Sequence, residues 1–200
     1  MRLLIIRHGE SEADLLNVHE GRADFSLTSR GHKQAQQMAD YVAKHYNLSK
    51  IYSSTLCRAK QTAMHLSEKT SIPVIFDELL MEFNNGLIAG LDREYVKQQY
   101  PIVPNLPIHE AVYEQESKLA FRFRADFILS KIISENNLDD TIAIITHGGM
   151  INQLYHSFLR IPLESDIIFC SGDTGIHEWY VDTKSRRILQ TNYTAHANGI

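Results

Sequence analysis

The chain has 200 residues, 44% hydrophobic and 22% charged, with a formal net charge of −4 at pH 7. That balance is ordinary for a soluble globular protein, and the length supports one substantial core, most simply a single domain over residues 1–200. It argues against a nonspecific nucleic-acid or membrane-surface binder, so any anion the protein handles must meet cations gathered locally.

Leu3 to Ile6 is a short continuous apolar run, the mark of a strand buried on both faces, and it stops at Arg7, His8 and Gly9. Thr28 or Ser29 can cap a helix that carries Gln34, Met38 and Val42 at helical spacing to about Tyr46. Lys50 to Ser54 reads as a second strand, Leu56 to Glu68 as a helix, and Ile72 to Phe76 as a third strand stopped by Asp77 and Glu78. Between Phe83 and Val112 the pattern weakens, punctuated by Gly86, Gly90, Pro101, Pro104 and Pro107, with one helix in "DREYVKQQY". A stretch of this kind predicts an excursion over a site, not a linker. Glu114 to Asn137 is predicted as a long amphipathic helix presenting Leu119, Phe123, Phe127 and Ile128 on one face. Thr141 to Thr146 is the fourth buried strand and Gly148 to Leu159 a helix. "GIHEWYVD" and "RRILQTNY" alternate as a pair of partly exposed strands, with Trp179 and Tyr180 in strand core or surface.

Strands alternating with helices predict an α/β fold, a three-layer α/β/α sandwich around a mostly parallel sheet. In such sheets ligands bind outside the carboxyl ends of the strands. His8 and His147 both stand at such ends, and each precedes a glycine that lets backbone approach a ligand. The other histidines fall in polar or helical contexts, where a surface or core role suffices. A metal finds little support, since the sequence has no H-x-H, no H-E-x-x-H and no carboxylate at ligand spacing.

Arg7 ends a strand that otherwise reads "LLII", and Arg58 opens the helix after the second strand in "SSTLCRAKQTA". A guanidinium in such a place is costly to bury without an anionic partner, which a carboxylate or phosphate oxygens would supply. The two cysteines, Cys57 and Cys170, form no C-x-x-C pair, which fits a reducing cytoplasm without a disulfide framework. Cys57 is read as packing. The opening apolar stretch is too short for a secretory signal, and no uninterrupted apolar run is long enough to span a bilayer.

"RHGES" followed by "EGRADFSLTSRGHKQA", then "SSTLCRAKQTA", "MEFNNGLIAG" and "IITHGGMI", resemble in order the blocks of the histidine phosphatase superfamily, also called phosphoglycerate-mutase-like. The resemblance covers nearly the whole chain and implies a phosphohistidine intermediate. Carried over position by position, it makes His8 the nucleophile, Arg7, Arg58 and His147 the holders of the phosphoryl group, and Glu82 the proton donor. Ser11, through its hydroxyl, and Gly148, through its N–H, are second-rank candidates for phosphate contacts. No metal and no cofactor are implied, because arginine and histidine supply the positive charge.

The expected activity is hydrolysis of a small cytosolic phosphate monoester, with no nucleic-acid or membrane partner. The alternatives are a 2,3-bisphosphoglycerate-dependent phosphoglycerate mutase and a non-catalytic module that binds a phosphate ligand. A mutase needs extra cations and a closing lid, and Phe83 to Tyr113 offers only Arg93 and Lys97 against Asp92, Glu94 and Glu110. There are three departures from the family pattern: Asp14, with Glu12 beside it as an acidic rim; Ile88-Ala89; and Glu20, where glutamine is frequent. None is expected to touch the five-residue core. Substrate specificity is expected in the excursion over residues 83–112.

Overall fold

The computed structural model describes residues 1–197. It runs β1 (Arg2–Arg7), α1 (Glu12–Leu16), α2 (Ser29–His45), β2 (Lys50–Ser53), α3 (Cys57–Thr70), β3 (Val74–Phe76), α4 (Arg93–Gln99), α5 (Lys118–Ser134), β4 (Thr141–Thr146), α6 (Gly148–Leu159), β5 (Ile176–Val181) and β6 (Arg186–Tyr193). Six strands form one sheet in the order β3-β2-β4-β1-β5-β6. Neighbours from β3 to β1 run parallel, and β5 and β6 add an antiparallel edge.

The side-chain alternation of β1 builds both cores. Leu3 and Ile5 face a layer from α5 and α6, packing with Phe121, Ala125, Ile128, Leu154 and Trp179. Leu4 and Ile6 face the opposite layer from α2 and α3, against Met38, Val42, Ala63 and Leu66. A strand apolar on every residue needs cover on both sides, and the sandwich supplies it. Among the described residues, no helix is long and apolar enough to cross a membrane.

Three expectations change. The α5 helix begins at Lys118, capped by the Ser117 hydroxyl, not at Glu114, and ends at Ser134. Its buried face is Phe121, Ala125, Ile128, Leu129 and Ile132, whereas Leu119, Phe123 and Phe127 are exposed. The helix carries apolar residues on more than one side, so period alone could not choose the side that meets the sheet. The terminal pair is also uneven: β5 lies between β1 and β6 and buries Trp179 completely, while β6 is the exposed edge.

Candidate active site

The register of β1 against β4 sets the site. Arg7 pairs with Thr146, so the next residue of each strand, His8 and His147, leaves the sheet side by side. The His8 N–H donates to the Thr146 carbonyl at 3.0 Å, and the two imidazole centroids lie 5.1 Å apart. Both rings are buried. Arg58 enters from the first turn of α3, its side chain wholly buried, with Nη1 and Nη2 donating to the carbonyls of Ala23 and Gly21 at 3.1 and 2.8 Å. Its Nε–H donates to His8 Nε2 at 3.2 Å.

Hydrogen-bond partners assign the His8 tautomer. Nδ1 lies 2.7 Å from the Gly9 carbonyl, which can only accept, so the ring proton is on Nδ1 and Nε2 carries the lone pair. Burial first, then the Arg58 and Arg7 charges, hold the imidazole well below its ordinary titration range, so it is a neutral nucleophile near pH 7. Desolvation contributes more than repulsion by the two guanidinium groups.

His147 is neutral for the same reasons, burial before the Arg58 charge. Its Nε2 is 2.7 Å from the Ser54 hydroxyl, whose oxygen already accepts from the Leu56 N–H. Among the described residues the buried Ser54 hydroxyl has no other acceptor for its proton, so it donates to Nε2, which leaves His147 Nδ1–H as a buried donor with no partner. Arg7 is braced by the Ser171 carbonyl at 2.8 Å and Asp173 at 3.4 Å, and its Nε is likewise buried and unpaired. Buried, unpaired donors beside one neutral nucleophile form a cradle suited to an oxyanion.

Glu82 closes the opposite side. Its Oε2 accepts the Gly149 N–H at 2.8 Å in the first turn of α6, and its Oε1 accepts the Phe83 N–H at 2.7 Å. Arg124 of α5 fixes the backbone beneath it, donating to the carbonyls of Leu79, Met81 and Glu82 at 2.8, 2.9 and 3.1 Å. The Glu116 carboxylate, 2.7 Å from Nη2, holds Arg124 in turn.

The five expected core residues thus meet at the carboxyl ends of β1, β2 and β4, while the second-rank position Ser11 differs from expectation. The Ser11 hydroxyl is buried and donates to the carboxylates of Asp14 and Glu20, so it is not turned to a phosphate. Gly148 lies against Arg7, but the amide that holds a site residue is that of Gly149. Gly9 is bare for another reason than ligand approach, since a Cβ there would meet the Gly31 carbonyl oxygen at 2.6 Å. Asp14 turns back to the Ser11 N–H at 2.9 Å and caps α1 instead of lining a rim.

One departure does touch the core. Glu20 Oε2 lies 3.1 Å from Arg58 Nε and 3.8 Å from His8 Nε2, and Oε1 accepts from the Ser11 hydroxyl. Sequence reasoning noted Glu20 and missed its position, and it missed Ser54, Asp173 and Arg124 altogether. Glu20 and Asp173 adjoin glycines and Ser54 lies in the block that carries Arg58, whereas Arg124 sits within helix α5 with no such signal. Among the described residues, no three His, Cys, Asp or Glu side chains cluster as metal ligands would.

The histidine phosphatase superfamily (branch 1) model matches residues 3–194. Phosphoserine phosphatase 1 of Hydrogenobacter thermophilus is 24% identical over 98% of this chain and 94% of that protein. A 2,3-bisphosphoglycerate-dependent phosphoglycerate mutase of Buchnera aphidicola is 29% identical over 96% of this chain and 98% of its own length. The crystal structure of the alpha-ribazole phosphatase from Shigella flexneri superposes with a TM-score of 0.88 at 26% identity, covering 98% of both chains.

Proposed function

Since the chain belongs to the histidine phosphatase superfamily and is a phosphoric monoester hydrolase of that family, we propose that it hydrolyses a small phosphorylated metabolite of the cytoplasm through phosphohistidine at His8. The observation that carries this reading is the buried lone pair of His8 Nε2, faced by Arg58 and the unpaired donors of Arg7 and His147. His8 Nε2 attacks phosphorus in line, an N–P bond forms, and the ester P–O bond breaks. Charge on the equatorial oxygens falls on Arg7, Arg58 and His147 Nδ1–H. Glu82 gives its proton to the leaving alkoxide. In the second half it takes a proton from water, whose oxygen attacks phosphorus as the N–P bond breaks and orthophosphate forms. The reading requires no metal, because the two guanidinium groups supply the positive charge.

The substrate's organic part has room beside this centre. A cavity of about 1280 Å³ lies between the excursion over residues 83–112 and the loop at 163–168, with Phe83, Ile88, Val96 and Tyr100 among its walls. The five core side chains do not line it, but Phe83 and His19, next in sequence to Glu82 and Glu20, do. That adjacency supports placing specificity in the excursion. Two free cysteines support a cytoplasmic location.

Rapid quench with radiolabelled substrate tests the mechanism. Acid-labile, alkali-stable label on the wild-type protein and its loss, together with turnover, in His8→Ala are expected. Residual turnover in His8→Ala above a hundredth of wild type would overturn the mechanism. Isomerisation of 3-phosphoglycerate stimulated by 2,3-bisphosphoglycerate would replace hydrolase with mutase chemistry.

A further inference from the structure

The phosphoryl seat proposed above already contains an anion that belongs to the protein. Glu20 Oε2 stands 3.1 Å from Arg58 Nε and 3.8 Å from His8 Nε2, and Arg58 Nε is itself 3.2 Å from His8 Nε2. These three atoms form a closed triangle on the lone-pair side of the nucleophile. A phosphoryl group about to react brings phosphorus to within about 3–3.5 Å of the attacking atom. It also lays an equatorial oxygen on the arginine, so one oxygen of the substrate and Glu20 Oε2 claim the same contact. Both carry negative charge, and the site is shielded from water, where like charges repel more strongly than in solution.

We propose that Glu20 is a specificity-determining residue of the phosphoryl seat: its carboxylate competes with the substrate's phosphate for Arg58 and His8, so that substrate enters only as Glu20 is displaced or neutralised. The inference rests on the phosphohistidine reading of the seat. It adds that the seat discriminates by charge as well as shape.

Every charged or titratable group facing Glu20 bears on this competition. From β1 and the residue after it come Arg7 and His8, from the start of α1 come Ser11 and Asp14, and from α3 comes Arg58. Burial raises the Glu20 carboxyl above the ordinary carboxylate range, against the opposing pull of Arg58 and of the Ser11 hydroxyl, while Asp14 adds to the rise and Arg7 opposes it. Neutral Glu20 is therefore populated at mildly acidic pH more than an exposed glutamate would be. Protonated, it can donate to a phosphoryl oxygen instead of repelling it. The sign follows: phosphate affinity falls as rising pH ionises Glu20.

Glu20→Gln keeps the shape and removes the charge, and an amide can still accept from Ser11. The probe is inorganic phosphate as a competitive inhibitor of p-nitrophenyl phosphate hydrolysis, compared between wild type and Glu20→Gln from pH 5 to 8. Taking the wild-type to variant ratio of inhibition constants cancels the titration of phosphate itself and the titration of other groups common to both proteins. The ratio is expected to rise with pH, reaching about 10 or more at pH 8, with KM moving in parallel. A ratio flat at 1 overturns the proposal, as does a fall in kcat with unchanged KM, which would make Glu20 a positioning residue for Arg58. Glu20→Ala serves as a second variant and is expected to show the same trend, with thermal melting as the check on folding. Phosphohistidine on Glu20→Gln separates the two readings: label present with a flat ratio sinks this inference alone, and label absent from both proteins sinks the phosphohistidine reading.

Discussion

Gly149→Ala should damage proton donation while leaving the fold intact. A Cβ built on Gly149 meets the Glu82 carboxyl carbon at 3.0 Å and Oε2 at 3.1 Å, and comes closer still to Oε1. Helix α6 accepts alanine at this position without backbone strain, and alanine favours a helix by about 1 kcal/mol over glycine, which offsets part of the lost Glu82 contact, so stability should fall by no more than about 2 kcal/mol. The Glu82 carboxylate, however, must leave the Gly149 N–H it now accepts at 2.8 Å. A hydrogen bond to a charged group contributes roughly 1.5–3 kcal/mol, which carried fully into the transition state is roughly 10- to 150-fold in rate. That lies at or below the lower end of the roughly 10²–10⁴ for a whole general acid, as expected for a carboxyl that is displaced and not removed. The assay compares kcat/KM for an alkyl phosphate, whose leaving group needs the proton, with p-nitrophenyl phosphate, whose leaving group departs without one. The alkyl ester should lose about 10- to 150-fold and the nitrophenyl ester less than about 3-fold. Equal losses on both esters, or no loss on the alkyl ester, would refute the assignment of Glu82.

Three further outcomes are expected. Burial pushes His177 down to about 4 from an ordinary 6.5. Its Nδ1 accepts from Tyr155 and Asn192, and Nε2–H donates to Ser171, whose carbonyl braces Arg7. The contribution of the neutral ring is complete above pH 6.5 and is lost as pH falls toward 4, roughly 3 kcal/mol in all. Urea midpoints at pH 7 and 4.5 should differ less in His177→Gln than in wild type, and an equal difference would contradict this. Arg124→Met leaves the carbonyls of Leu79 and Met81 without their side-chain donor, and leaves only Arg22 to reach the Glu82 carbonyl at 3.3 Å and the Glu116 carboxylate at 3.8 Å. It should cost roughly 2–3 kcal/mol by denaturation, discounted for partial exposure, and slow alkyl esters most. Finally, chelator should leave the hydrolysis rate unchanged, and strong inhibition by EDTA would call for a metal in the mechanism.

The strands and most of the helices were legible because each rests on local chain properties, and the five core residues were named through the resemblance of the ordered blocks that carry them. Leu3–Ile6 and Ile142–Ile145 are apolar at every position, and a strand of that kind has no solvent face to offer, so burial between two helical layers follows from the sequence. The arginine and histidine ending those runs stand out for the same reason.

What tertiary structure alone decided is which groups meet across the chain. Helix α5 had more than one apolar side, and contact with the sheet, not periodicity, left Phe123 and Phe127 in solvent and buried Phe121. Glu20 is a loop residue whose significance comes from an arginine 38 positions later and a strand end 12 positions earlier. Residue type and spacing describe a chain along its length. The field around a carboxylate depends on distances through space, and those exist only once β1, the loop before α2, and α3 are packed together.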